Sequence, residues 1–319
     1  MARIVLGVGS SHAPSLNGTV DRWAEAGKRD MANPKGGGMP MKLDIEAMIQ
    51  ERQTWIGKEL TPEVWKRRHE SCQKAITQLA ERLEQVAPDV AIIVGDDTHE
   101  VFMPEDEIPA IGVFWGEQIP LVPHSSRVRG SANEPTLLKG EPALGRHIIG
   151  YLNGEGFDIA SCRTIPQGRS IGHAFDFIYG RIMKRALPAH VPLFLNTYYA
   201  PNQPTLKRCY ALGRALRRAI ESWESDKTVA LIGSGGLSHM VIDEALDRSI
   251  LKAMQAKDEK SLVKHPEELF NWGTGEIRSW IVVAGAMEET DMEMHLLAYE
   301  PCYRSPAGTG CACAFAYWE

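Results

Sequence analysis

The sequence predicts an α/β fold: a mostly parallel or mixed central sheet with helices on both faces and a metal site at the C-terminal rim of the strands. Three observations predict it. Short, continuous apolar runs bounded by turn residues recur along the chain, as expected of strands buried on both faces. Stretches of helical periodicity lie between them, and alternation of the two kinds implies a sheet covered by helices. The composition is that of an ordinary folded protein, with 44% hydrophobic and 24% charged residues in 319.

The first strand is read at residues 4–7, ended by Gly-Val-Gly-Ser-Ser-His. A long helix follows at 61–86, where Thr61 caps and Pro62 opens the first turn. Strands are then expected at 90–94, 111–115, 191–195 and 229–232. Helical patterns are expected near 136–152, 176–187, 204–222, 242–256 and 275–287. Residues 303–319 read as a final docked strand. The reading is of a single catalytic domain, 1–319, interrupted by a Gly/Pro-rich excursion at 17–60 that contains Asn33-Pro34-Lys35-Gly36-Gly37-Gly38-Met39-Pro40. A loop of that length is usually functional or disordered, and a lid or an oligomer contact is expected of it.

Lys plus Arg number 35 and Asp plus Glu 41, a net charge of -6. That balance argues against a nucleic-acid partner, which would want a basic field. No apolar stretch is long enough for a membrane span, and the N-terminal apolar run is too short for a secretory signal. The six cysteines lack a CxxC pair and read as reduced thiols of a cytoplasmic protein. Cys311 and Cys313 read as two thiols on one face of a buried strand in preference to a metal pair.

Three histidines share one context. His12, His99 and His239 each stand just past an apolar strand, in a polar turn. Sites of open α/β sheets form outside the carboxyl ends of strands, so three imidazoles at one rim suggest a metal or acid–base cluster. Glu276, in Trp272-Gly273-Thr274-Gly275-Glu276, is the candidate carboxylate. Two histidines and a carboxylate with open positions form the facial triad of non-haem Fe(II) oxygenases. Asn196, Tyr198 and Tyr199 end another strand at the same rim and are candidate substrate contacts. Arg127, Arg129 and Arg278 are candidate partners for a substrate carboxylate, with a solvated surface position favoured for each. His124 is not expected to reach the rim. His69, His147, His190, His265 and His295 read as exposed. The Gly7-Val8-Gly9 turn lacks the third glycine of a dinucleotide loop, so a nicotinamide oxidoreductase is disfavoured.

The ordered motifs resemble a family. Ser10-Ser11-His12-Ala13-Pro14, Gly172-His173-Ala174-Phe175, Gly235-Gly236-Leu237-Ser238-His239, and Gly273-Thr274-Gly275-Glu276-Ile277 with Ala284-Gly285-Ala286-Met287 resemble the class III extradiol ring-cleavage dioxygenases. The type is that of the protocatechuate 4,5-dioxygenase catalytic subunit. The opening residues and Asn196-Thr197-Tyr198-Tyr199-Ala200-Pro201 are similar to its 3-O-methylgallate dioxygenase branch. The resemblance implies an Fe(II) cofactor held by His12, Glu276 and a second histidine, with His239 as acid–base and His173 contacting substrate or oxygen. His99 is the assignment for the second histidine. Its turn, Asp96-Asp97-Thr98-His99-Glu100, is one residue longer than the family's, and Asp97 or Glu100 stays open as the ligand instead. The implied reaction inserts O2 beside the diol of a carboxylated catechol such as 3-O-methylgallate, gallate or protocatechuate. A homodimer is also implied. The alternative from another class is a non-catalytic metal-binding scaffold of the same fold.

Overall fold

The computed structural model describes residues 1–32, 43–102, 108–122, 134–184 and 187–319. The Gly/Pro-rich stretch at 33–40 and the candidates His124, Arg127 and Arg129 lie outside the described residues.

Strand β1 (Arg3–Ser10) lies near the middle of a nine-stranded mixed sheet. It pairs in parallel with β8 (Thr228–Ser234), β8 with β2 (Val90–Gly95), and β2 with β7 (Ala189–Leu195). Beyond β7 the sheet continues antiparallel to β3 (Ile111–Phe114) and then in parallel to β6 (Ala160–Cys162). On the other side, β1 meets β11 (Thr309–Trp318) antiparallel, and β11 carries both β10 (Met294–Tyr303) and the short β9 (His239–Val241). Strands β4 (Gln118–Leu121) and β5 (Thr136–Lys139) form a separate antiparallel pair.

The continuous apolar runs behave as double-sided strands. In β2, Val90, Ile92 and Val94 join one core, while Ala91 and Ile93 join the core on the opposite face. Side chains alternate across a strand, so both faces need apolar residues and the sequence shows no alternation.

Among the described residues, nine α-helices surround the sheet: α1 (Asp21–Ala32), α2 (Ile45–Arg52), α3 (Pro62–Val86), α4 (Pro142–Gly154), α5 (His173–Phe177), α6 (Leu206–Ser222), α7 (Glu244–Gln255), α8 (Glu259–Val263) and α9 (Ile277–Met287). In α3 the Thr61 hydroxyl accepts from Val64 N–H at 3.3 Å, and Cys72, Ala75, Ile76, Leu79 and Leu83 bury one face at helical spacing. Helix α9 is buried along its whole length. It packs closely on α6, where a Cβ at Gly213 would overlap the Val282 carbonyl.

Three elements differ from the sequence reading. Residues 136–139 form β5, and the helix expected from 136 starts at Pro142. Proline at the first helical position disfavours the α conformation for the residue before it. The excursion at 17–60 contains α1 and α2. The C-terminal strand is one arm of a hairpin, because β10 precedes it.

Parallel pairing of β1, β8 and β2 places their carboxyl ends side by side, with Ser10 opposite Ser234. The turns after these strands therefore share one rim, and they carry His12, Asp96 and the segment leading to His239.

Candidate active site

His12 follows β1 and is 4% exposed. Its Nδ1 lies 3.0 Å from Ser234 Oγ, and that hydroxyl donates to the Ala174 carbonyl at 2.7 Å. With its one hydrogen spent, Ser234 must accept from His12. Nδ1 therefore carries a proton, and Nε2 faces Glu276 Oε2 at 3.4 Å and Asp96 Oδ1 at 4.0 Å. Locking the tautomer through the far nitrogen is how proteins prepare an imidazole for a metal.

Glu276 ends the turn Trp272–Glu276 that leads into α9. Its Oε2 accepts from Gly236 N–H at 2.6 Å, and its Oε1 lies 3.1 Å from His239 Nε2. Burial by itself would raise this carboxyl. The His12 and His239 imidazoles outweigh burial and hold it well below the usual carboxylate range. His239 opens β9, and its Nδ1 donates to the Leu237 carbonyl at 2.8 Å. Burial disfavours its charge, but Glu276 and then Cys311 raise it well above an ordinary histidine. Its Nε2–H then donates to Glu276. Thr274 braces the backbone here, accepting from His239 N–H and donating to the His239 carbonyl. A Cβ at Gly273 would overlap the His239 imidazole, so only glycine fits there.

Asp96 is the first residue past β2 and is 1% exposed. Neither carboxylate oxygen has a hydrogen-bond partner among the described residues. Burial, then the charge of Glu276, raises it against the lowering by His173 and His12. His173 opens α5, with its ring 4.9 Å from that of His12. Its Nδ1 donates to Glu100 Oε1 at 2.6 Å, and Thr98 N–H donates to Glu100 Oε2 at 2.7 Å. Burial lowers His173, yet the Glu100 bond and the neighbouring carboxylates bring it up to about 9. One ligand atom each of His12, Asp96 and His173 lies within 4.8 Å of the others.

The structure brings His12, His173, His239 and Glu276 together. His99 is in the left-handed region (φ 69°), with its ring 4.4 Å from that of Tyr199, and is not part of the His12–Asp96–His173 group. Asp97 accepts from Val101 and Phe102 N–H, which spends both oxygens on its own loop. Tyr198 packs edge-on to Trp272 at 5.4 Å and against Tyr199 at 5.0 Å. The Asn196 amide braces that turn through Tyr198, Tyr199 and Asn202. Several expectations of exposure are corrected: His69, His147 and His265 are half-buried and hydrogen-bonded. Arg278 is 2% exposed and bonds the Pro204 and Phe270 carbonyls and Glu267. His190 is fully buried within β7. Arg278 lies on the wholly buried α9 and His190 on the wholly buried β7. Sequence reasoning missed Asp96 because it read the turn for histidines; its place directly after β2 was the available signal. It also missed the pairing of Glu100 with His173, for which no local signal exists.

Two imidazoles and two carboxylates at one buried rim make a donor set for a cation by their chemistry alone. A buried carboxylate with two unpartnered oxygens is costly unless a charge or donors satisfy it, so these residues fit a resident metal. The family model for the catalytic LigB subunit of aromatic ring-opening dioxygenase matches residues 55–309, well over half of the chain. The chain belongs to this family. It is also 31% identical over 176 residues to gallate dioxygenase of Pseudomonas putida, a match covering 51% of this chain and 50% of that protein. The match thus spans half the length of that relative.

Proposed function

We propose that this chain, acting as one catalytic unit, is an Fe(II)-dependent extradiol dioxygenase that opens the ring of a carboxylated catechol such as gallate, 3-O-methylgallate or protocatechuate. The observation that carries the reading is Glu276, 3.4 Å from His12 Nε2 and 3.1 Å from His239 Nε2 in a member of the ring-opening family. One carboxylate there joins a candidate ligand to a candidate acid–base.

Bound Fe(II) would hold both diol oxygens beside O2 and activate them for reaction. His12, Asp96 and Glu276 are the residues proposed to hold it, a set of one histidine and two carboxylates; His99 is the competing ligand. His12 offers the Nε2 lone pair because Ser234 holds the proton on Nδ1. His239, steadied by the Leu237 carbonyl, exchanges a proton at Nε2. With the charge of Glu276 neutralised by a bound cation, the second proton is no longer held on Nε2, so that Nε2 takes a diol proton as the substrate binds and returns one during ring opening, which is general acid–base work. His173, oriented by Glu100 and edge-on to His12, contacts substrate or oxygen. Tyr198 and Tyr199 are proposed to flank the aromatic ring, with Asn196 shaping their turn. A cytoplasmic location and a homodimer belong to the same proposal. Among the described residues, no helix is long and apolar enough to cross a membrane.

The test is anaerobic reconstitution with Fe(II), then oxygen uptake with gallate, 3-O-methylgallate and protocatechuate. Uptake with at least one is expected; none at full iron occupancy overturns the proposal. Asp96→Asn is expected to lose iron and His99→Ala to keep it. The reverse pattern would move the ligand assignment to His99.

A further inference from the structure

A second cluster of ligand-type side chains lies away from the rim. Cys72 on α3, Cys302 on β10 and Cys313 on β11 each offer a sulfur within 4.8 Å of the other two. They are 0%, 3% and 0% exposed, and all are free thiols. The sequence suggests only Cys311 and Cys313 as a pair. Folding instead selects Cys313 and adds two thiols from 241 and 11 residues earlier in the chain.

We propose that Cys72, Cys302 and Cys313 form a second metal site, binding one Zn(II) between α3 and the β10–β11 hairpin. The geometry fits. Three sulfurs each about 2.3 Å from one ion stand about 4 Å apart, so the cluster needs little contraction. Thiolate donors select zinc over magnesium or calcium. Binding releases the three thiol protons to solvent and leaves the complex with one negative charge. Arg68, buried one turn before Cys72 on α3, has an Nη1 without a hydrogen-bond partner among the described residues, although its other nitrogens face Glu59 and Glu300. A cavity of about 240 Å3, lined by Cys302, Cys311, Trp23 and Arg304 among others, borders the cluster at Cys302. The site would tie the long helix to the C-terminal hairpin, a structural use of zinc independent of the chemistry at the rim.

Co(II) alone is the probe, added under reducing, anaerobic conditions to the full chain after chelation. Cys311 lies beside His239 at the rim, whose other ligand-type residues offer nitrogen and oxygen, so a near-ultraviolet sulfur-to-cobalt band that is retained in Cys311→Ser reports the thiol cluster. The band is expected at one equivalent. It should persist in His12→Ala, fall at least a hundredfold in affinity in Cys313→Ser, and disappear when Zn(II) is added first. Six thiols are expected in the denatured, metal-free chain. No sulfur band in a chain with six reduced thiols overturns the proposal, as does a count of four or a band unchanged in folded Cys313→Ser. If Cys313→Ser does not fold, competition by Zn(II) in the unmodified chain decides alone, and a band that Zn(II) leaves unchanged overturns the site.

Discussion

His12 Nδ1 donates to Ser234 Oγ at 3.0 Å, and the same hydroxyl donates to the Ala174 carbonyl at 2.7 Å. This chain of two bonds fixes which nitrogen of His12 faces the carboxylates. Ser234→Ala leaves Nδ1–H buried without an acceptor and frees the tautomer. Loss of such a partner typically costs 10–100-fold in metal affinity. Fe(II) titration of the variant should show a loss of about that size. An unchanged affinity would mean that the bond does not prepare His12.

Glu100 holds His173 through its side chain at 2.6 Å and its backbone N–H at 3.0 Å. Glu100→Gln keeps the shape and removes the charge. Turnover is expected to fall by about tenfold or more, the scale of a lost positioning interaction, while iron content stays near that of the parent. Equal loss of iron and turnover would instead make Glu100 part of the metal site.

His239 is packed so tightly against Gly273 that a methyl group there must displace the imidazole. His239→Ala should retain iron and lose about 10²–10⁴ in kcat, the usual worth of a general acid–base. Gly273→Ala should approach the same loss with the imidazole still present. Normal turnover in Gly273→Ala, with its fold intact by circular dichroism, would show that the position of His239 is not critical.

His190 couples stability to pH. It is fully buried, its Nδ1 donates to the Pro188 carbonyl at 3.2 Å, and burial pushes it down to about 4. The unfolded chain takes up a proton near ~6.5, while the folded chain resists until about 4. Its contribution is thus intact above pH ~6.5 and is lost as pH falls from there towards 4. At about 1.4 kcal/mol per unit, the loss is about 3 kcal/mol. Urea unfolding at a series of pH values should show that slope, and His190→Phe should flatten it. An equal slope in the variant would assign the acid sensitivity to other groups.

The strands on which the rim depends are legible in the sequence alone. Runs such as 90–94 are apolar at every position because both faces are covered, and this is visible without coordinates. It also marked His12, His239 and Glu276, since each follows a recognisable strand end or precedes a helix. Which neighbours these residues meet depends on sheet order and helix docking. Asp96 comes to lie 4.0 Å from His12 because β2 pairs with β8, whose other neighbour is β1. Glu100 reaches His173 across 73 positions of sequence. Cys72, Cys302 and Cys313 converge because a helix packs on a hairpin. Strand and helix periodicity is a local property that the chain displays along its length. Sheet order and helix docking come from burying both faces at once, and no short stretch of sequence encodes that.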